Sequence, residues 1–219
     1  MTGDPRQQVV DIGRLMYQRF LTNAAGGNVS HRVDGRIYMS PRYAGSKQQW
    51  ELRPEQIVIL DEKHTVIGGE GMLSRESAMH LAIYDAFPQV NGVIHAHPRY
   101  ANVFAALGRP ITPTNSYTEK FGETPVVRPV PAHSPELAAE VVAALSQRQD
   151  ELSSHGLALV LAWHGVVVVG RDLNDAFGNF PRFAADATDL LRIADEQRRA
   201  VRRERRVLVV ALHALDVVA

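Results

Sequence analysis

The sequence predicts an α/β fold, and three observations support this class. The chain has 219 residues, about the length of one large domain. Two unbroken apolar segments, 157–163 and 166–169, are typical of strands buried on both faces of a sheet. Amphipathic segments at 6–21, 74–87 and 135–150 have the apolar spacing of helices packed beside such a sheet. These observations leave the strand directions open.

Turn residues predict the elements of the first third of the chain. The first helix is followed by a glycine-rich turn at 24–28. The dipeptide Asp34-Gly35 then separates two short alternating segments, which is a strong signal for a two-residue hairpin. The predicted strands are 29–33, 36–39, 56–61 and 65–67.

The middle of the chain is predicted from a helix cap and a proline. Ser74 can accept a hydrogen bond from the first helical turn, and Pro88 ends the helix near Phe87. An apolar strand over 90–97 and a helix over 100–107 follow.

Composition excludes several classes of function. Lys+Arg and Asp+Glu number 24 each, so no nucleic acid or anionic membrane is expected to be recognised by bulk charge. The absence of cysteine excludes disulfides and thiolate metal sites. No segment reaches the length of a membrane-spanning helix, and the first residues do not resemble a signal peptide, so we expect a cytoplasmic protein. The basic run 197–206 is interpreted as a solvated helix face, and the apolar tail 207–219 is expected to dock on a neighbour.

Three histidines predict a metal site. His95 and His97 lie two residues apart at a strand end, so both rings project from one face, and His164 ends a later apolar strand. If these strand ends meet, three imidazoles converge and leave positions open for substrate, as in catalytic sites for divalent metals. Cupins and several hydrolases share this pattern. Flanking helices disfavour an all-β cupin, and a metallo-hydrolase would have an aspartate where Pro98 stands.

Glu76 has two interpretations. It lies in the first turn of a predicted helix, where the helix dipole favours a carboxylate as a simple cap. Alternatively, it is a general base beside the metal, with His80 one turn further on the same face as a supporting residue.

Five motifs in order resemble the class II aldolase/adducin family, typified by fuculose-phosphate aldolase. The resemblance covers about residues 6–196, and the order and spacing of the motifs make it specific. The motifs are Gly26-Gly27-Asn28-Val29-Ser30, Met39-Ser40-Pro41, Ser74-Arg75-Glu76 with His80, Val93-Ile94-His95-Ala96-His97, and His164-Gly165.

This resemblance implies a single domain over 1–219, with a three-layer α/β/α sandwich around a mostly antiparallel sheet. It assigns His95, His97 and His164 as ligands of zinc, with manganese, cobalt or iron as alternatives. It assigns Glu76 as the catalytic acid/base. It also implies a homotetramer with active sites between subunits.

The resemblance further implies a binding site for the substrate's anionic group, and here the chain departs from the family. Small hydroxyl and glycine residues cradle a phosphate in the family's aldolases, whereas Arg42-Tyr43 and Arg75 stand at two of these places. Guanidinium groups favour bidentate binding of an anion, unless they face solvent or bridge subunits. The predicted substrate-binding residues are Gly27, Asn28, Ser40, Arg42, Ser74 and Arg75.

A second departure concerns the proton donor. The family's aldolases use a tyrosine near residues 130–133, and this chain has none there. His133 and Tyr117 are candidate replacements, and Glu119 falls where methylthioribulose-phosphate dehydratases carry a catalytic glutamate. Pro181 is expected to break or kink a helix that the family keeps continuous.

The predicted function is a divalent-metal-dependent carbon–carbon lyase that acts on a small molecule. Aldol cleavage of a phosphorylated or carboxylated hydroxyketone, through a metal-stabilised enediolate, ranks narrowly ahead of decarboxylation of a hydroxy acid, aromatic acids included. A sugar-phosphate dehydratase or epimerase ranks third. A non-catalytic, adducin-like interaction module is the hypothesis from another class, and retention of the three histidines and the glutamate argues against it.

Overall fold

An eight-stranded sheet forms the centre of the part of the chain that the structure describes. This computed structural model describes the backbone of residues 3–216 and their side chains except residue 200 and residues 202–216. The strand order is β4-β3-β2-β1-β5-β8-β7-β6, and only the β6–β7 pair is parallel. The predicted mostly antiparallel sheet is therefore confirmed. The strands are β1 Asn28–Val33, β2 Arg36–Met39, β3 Val58–Leu60, β4 Val66–Gly68, β5 Gly92–Ala96, β6 Val126–Val127, β7 Leu157–Leu161 and β8 Gly165–Gly170.

Helices cover both faces of the sheet and confirm the three-layer sandwich. α1, α3 and α6 pack on one face, and α2 and α5 pack on the other. Neighbouring residues of β5 divide between the two cores: Ile94 joins the α1–α6 side and Val93 the α2–α5 side. This alternation explains why the central strands are apolar at successive positions. The helices are α1 Pro5–Gln18, α2 Ser77–Ala86, α3 Ala101–Leu107, α4 Ser116–Glu119, α5 Pro135–Ser146 and α6 Leu173–Asp216.

Two turns around β1 test the predictions from turn residues. Asp34 and Gly35 both have positive φ angles, 48° and 73°, as the predicted hairpin requires. The first helix, however, ends at Gln18 rather than at residue 21. Phe20 adopts a left-handed conformation, and the Leu21 amide donates to the Met16 carbonyl across it, which closes the helix end. Phe20 is therefore 78% exposed instead of joining the apolar face of α1.

α6 is continuous through Pro181, so the predicted break is wrong, and the alternative of a kink stays a prediction. Phe180 and Phe183, on either side of the proline, are buried, and their rings stack with centroids 5.3 Å apart. This buried packing stabilises the helix on both sides of the proline, which cannot donate a backbone hydrogen bond.

The structure tests only part of the predictions about the basic run and the apolar tail. The backbone of α6 continues through the basic run as far as Asp216. The side chains of the apolar tail 207–219 lie outside the described residues, so its docking stays a prediction. Of the helices that the structure describes, none combines the length and hydropathy needed to cross a bilayer.

Candidate metal centre

Three histidines converge where β5 ends beside the turn between β7 and β8. His95 lies on β5, His97 follows that strand directly, and His164 lies in the turn rather than on a strand as predicted. Antiparallel pairing of β5 with β8 brings the two ends together. The ring centroid of His95 is 4.9 Å from that of His97 and 4.7 Å from that of His164. One ligand nitrogen from each histidine lies within 4.8 Å of the other two.

The electrostatics of these rings favour the neutral form that binds metal. Burial, together with the neighbouring imidazoles, lowers the pKa of His95 well below its ordinary value. Burial likewise lowers the pKa of His97 and of His164, although the nearby Glu76 carboxylate partly opposes this for His164. All three therefore carry a free ring lone pair at neutral pH.

The donor set fits a divalent transition-metal ion. Nδ1 of His95 lies 2.9 Å from the Val166 carbonyl oxygen, and a ring N–H there fixes the tautomer and leaves Nε2 as the ligand atom. Nε2 of His97 is buried without a hydrogen-bond partner. Such an orphaned nitrogen costs free energy unless a ligand satisfies it, which an ion held by three imidazoles does.

Glycines make room for the histidine rings. A Cβ on Gly165 would lie 2.6 Å from the Ala96 carbonyl oxygen and 2.6 Å from Cδ2 of His97. Gly27 has a φ of +106°, and a Cβ there would lie 3.0 Å from the His95 carbonyl oxygen. A side chain at either glycine would displace the backbone that carries His95 and His97.

Glu76 is buried beside the three histidines. It is the N-cap residue of α2, which begins at Ser77, so the predicted helix start at Ser74 is too early. Glu76 therefore lies at the helix N-terminus, but its side chain makes no capping hydrogen bond. Only 5% of the residue is exposed, and its Oε2 has no hydrogen-bond partner. Its Oε1 lies 3.5 Å from Nε2 of His164 and also contacts Nδ1 of His133.

His80 has a supporting position one turn after Glu76. Its Nδ1 lies 2.7 Å from the Ser30 hydroxyl oxygen, which lies 2.8 Å from the Tyr84 hydroxyl. Complete burial lowers the pKa of His80 to about 3. His80 is thus a neutral core residue that ties α2 to β1 beneath the site.

The histidines and Glu76 open into a cavity of about 270 Å³. Asn28 donates from Nδ2 to the Ser74 hydroxyl at 3.1 Å, and its own Oδ1 is buried without a partner. The cavity thus contains a polar acceptor as well as the metal ligands. The predicted residues that line it are Gly27, Asn28, Arg42, Ser74, Arg75, Glu76, His95, His97, His133 and His164.

Three predicted site residues do not line this cavity. Ser40 is fully buried, and its hydroxyl accepts from the Val29 amide at 3.0 Å, so it joins β2 to β1. Tyr117 and Glu119 lie on α4, where both are exposed. Neither Tyr117, a candidate proton donor, nor Glu119, placed by its match to the dehydratases, is among the residues that line the cavity within the described chain.

The sequence analysis missed part of the cavity wall. Gly45 and Ser46 line it, three and four residues after Arg42. A Cβ on Gly45 would lie 3.0 Å from the Ala24 carbonyl oxygen, so this turn packs tightly against the glycine-rich turn. Gly45-Ser46 thus supplies a glycine and a hydroxyl to the cavity three residues after Arg42-Tyr43, where the sequence analysis noted their absence.

The fold and site define an α/β/α sandwich with a three-histidine centre and a buried carboxylate at the edge of its sheet. The chain matches the class II aldolase and adducin N-terminal domain over residues 7–188, and it belongs to that family.

Individual relatives differ in their reactions. The chain is 33% identical to 3-oxo-tetronate 4-phosphate decarboxylase of Haemophilus influenzae over 182 residues, which are 80% of each chain. It is 32% identical to 5-deoxy-D-ribulose 1-phosphate aldolase of Bacillus thuringiensis serovar kurstaki over 177 residues, 78% of this chain and 77% of that one. An L-fuculose 1-phosphate aldolase structure superposes with a TM-score of 0.76 at 25% identity, covering 89% of this chain and 88% of that one.

Proposed function

We propose that this protein is a divalent-metal-dependent carbon–carbon lyase that cleaves a small hydroxyketone bearing a phosphate or carboxylate group. The observation that carries the proposal is the convergence of three neutral histidines beside a buried carboxylate whose Oε2 lacks a hydrogen-bond partner. Membership of a family that includes aldolases and decarboxylases supports the lyase class.

His95, His97 and His164 would hold the metal ion. A bound divalent ion supplies Lewis acidity that stabilises the enediolate charge left by carbon–carbon cleavage or proton removal. Zinc is the ion we propose, because three imidazoles with an open position suit it, and manganese, cobalt and iron are the alternatives.

Glu76 is the proposed acid/base. Its Oε2 has no hydrogen-bond partner and can accept a proton from a substrate carbon or hydroxyl, whereas Oε1 already contacts His133. His133 contacts Oε1 and is itself partly exposed, so it both orients the carboxylate and connects it to solvent. Asn28 presents its unpartnered Oδ1 to the same cavity, where it can accept a hydrogen bond from a substrate hydroxyl.

Decarboxylation of a hydroxy acid is the second candidate reaction. Arg42 supports it because its guanidinium, suited to a carboxylate, lines the cavity. One relative is itself called a decarboxylase. The two reactions share the metal ligands and differ in whether carbon dioxide or an aldehyde leaves.

Proton exchange measured by NMR tests the proposal. The zinc-loaded protein is incubated with dihydroxyacetone phosphate in deuterated water. We expect exchange of one C3 hydrogen, abolished in Glu76→Gln, which retains the metal ligands. If the fully metallated protein exchanges nothing and also releases no carbon dioxide from a panel of hydroxy acids, the lyase proposal is wrong.

We also propose a cytoplasmic homotetramer with active sites between subunits. Light scattering coupled to size exclusion should give about four times the chain mass of 24.2 kDa. A monomer with full exchange activity would contradict this assembly. Cell fractionation tests the location.

A further inference from the structure

We infer that Asn102 is a positioning residue for the metal centre: its side-chain oxygen accepts a hydrogen bond from Nδ1 of His164 when Nε2 of that ring binds the ion. The inference rests on the proposed function, since it concerns one of the three proposed metal ligands. It goes beyond that function because Asn102 does not line the substrate cavity, into which the histidines and Glu76 open.

One ring nitrogen of His164 lacks a partner. Nε2 lies 3.5 Å from Oε1 of Glu76 at the substrate cavity, so Nε2 is the nitrogen placed to bind the ion. The ring proton then resides on Nδ1, which is buried and has no hydrogen-bond partner among the described residues. A histidine that binds metal almost always donates its other ring N–H to an acceptor. The Val166 carbonyl is such an acceptor for His95, and His164 needs a corresponding one.

Asn102 supplies an acceptor of the right kind beside this ring. Its Oδ1 is buried and has no hydrogen-bond partner among the residues that the structure describes. Asn102 and His164 line a second recess, of about 330 Å³, between α3 and the turn that joins β7 to β8. Elsewhere in the described chain, buried side-chain oxygens without partners occur on Asn28 and Glu76, and both of these residues line the substrate cavity instead. Because a buried N–H and a buried carbonyl oxygen are each costly to leave unpaired, we expect the two atoms in the recess to pair with each other.

Backbone hydrogen bonds hold α3 against both segments that carry the metal ligands. The Asn102 amide donates to the Pro98 carbonyl at 2.9 Å, in the segment that follows β5. The Trp163 amide donates to the Ala105 carbonyl at 2.9 Å, next to His164. Residues three apart lie on one face of a helix, so Asn102 and Ala105 share the face of α3 that meets this turn.

The hydrogen bond would act on metal affinity through the tautomer and the orientation of the His164 ring. A proton held on Nδ1 leaves the lone pair on Nε2, and an amide oxygen that accepts this proton limits rotation of the ring. Without bound metal the proton can reside on either nitrogen, so the hydrogen bond matters far less to the metal-free fold. Asn102 is thus predicted to affect metal affinity much more than stability.

Zinc affinity and the histidine ring signals in ¹⁵N spectra of the zinc-loaded protein test the inference together. In the wild type, we expect His164 to carry its proton on Nδ1, with a signal that exchanges slowly with solvent. Asn102→Leu removes the acceptor at similar volume and should weaken zinc binding about 10- to 100-fold in competition with a chelating indicator. The same variant should lose or shift the Nδ1–H signal of His164 and leave that of His95 in place. Asn102→Asp keeps an acceptor oxygen and should keep most of the zinc affinity.

Asn174→Leu is the matched control. Asn174 is the second residue of α6, as Asn102 is of α3, and it is exposed. This variant should keep both the zinc affinity and the ring signals of the wild type. Metal-free Asn102→Leu should melt at the wild-type Tm, because the unpaired oxygen of Asn102 makes no hydrogen bond there that could be lost.

Wild-type zinc affinity in folded Asn102→Leu, or a His164 proton on Nε2 in the zinc-loaded wild type, would overturn the inference. A lower Tm of the metal-free variant with unchanged zinc affinity would show a purely structural role and would overturn it as well. The measurement on the wild type needs no variant, so the inference stays testable if Asn102→Leu does not fold. Failure of the proposed function has a different signature: zinc binding depends on Asn102, but the zinc-loaded protein shows neither proton exchange nor release of carbon dioxide.

Discussion

Replacing Gly165 by alanine tests whether close packing around the histidines holds the metal site in place. The new Cβ would lie 2.6 Å from both the Ala96 carbonyl oxygen and Cδ2 of His97, and 3.3 Å from Cε1 of His95. Carbon atoms do not approach backbone atoms this closely, so the end of β5 and the His97 ring must move. Overpacking of this kind costs about 1–3 kcal/mol.

The expected consequences concern both metal affinity and stability. Displacing the support of a ligand lowers metal affinity by about 10- to 100-fold, which competition with a chelating indicator measures. The metal-free protein should lose about 2–12 °C in Tm, which calorimetry in chelator measures.

Gly178→Ala is the matched control. No atom lies within 4 Å of its added Cβ, and Gly178 is inside α6. This change should stabilise the helix by about 0.5–1 kcal/mol and leave metal affinity unchanged. Wild-type metal affinity in Gly165→Ala would refute the packing argument.

Three further predictions concern the metal-free protein. Burial lowers the pKa of His80 to about 3 in the folded protein, whereas the unfolded chain has the ordinary value. The contribution of the neutral ring to the free energy of unfolding is therefore complete above pH 6.5 and declines by about 1.4 kcal/mol per pH unit below it. Urea unfolding at pH 7.5 and 5.5 should show a smaller pH dependence in His80→Gln than in wild type. Ser30→Ala removes the partner of the His80 ring and of the Tyr84 hydroxyl and should cost about 2 kcal/mol in urea unfolding. Trp163 is 78% exposed at a φ of +61°, so Trp163→Asn should raise the stability by about 1 kcal/mol, seen as a higher Tm.

Each of these predictions has a result that contradicts it. An unchanged pH dependence in His80→Gln would mean that the pKa of the His80 ring is the same in the folded and unfolded states. Wild-type stability in Ser30→Ala would mean that water replaces the hydroxyl. A lower Tm in Trp163→Asn would show that the indole packs against something, and a second copy of the chain is then the first candidate.

The sequence predicted the architecture well because its strongest patterns are local. Asp34-Gly35 predicts a hairpin because both residues readily adopt the backbone angles of its turn. The apolar run of β8 predicts a strand that is buried on both faces. Element ends were less accurate. α1 ends early because Phe20 takes a left-handed conformation usually occupied by glycine. The Ser74 hydroxyl does accept from the Glu76 amide at 3.3 Å, but the regular helix α2 begins only at Ser77.

The site was predicted to the extent that its residues lie on paired strands. The spacing of His95 and His97 placed two rings together, but only the pairing of β5 with β8 brings His164 to them. Sequence could not place His133 against Glu76, because this contact depends on the path of the loop between β6 and α5. For the same reason it could not separate Ser40, which joins two strands, from Arg42, which faces the cavity two residues later.

Metal content is the measurement that tests the central claim most directly. The purified protein is reconstituted with zinc after chelator treatment and analysed by mass spectrometry for stoichiometric metal. We predict that wild type and Glu76→Gln hold the ion, that His95→Ala, His97→Ala and His164→Ala each lose it, and that His64→Ala, a surface change, keeps it. A folded wild-type protein that binds no divalent metal, or a His97→Ala variant that binds it as tightly as wild type, would contradict the account and favour a non-catalytic interaction module.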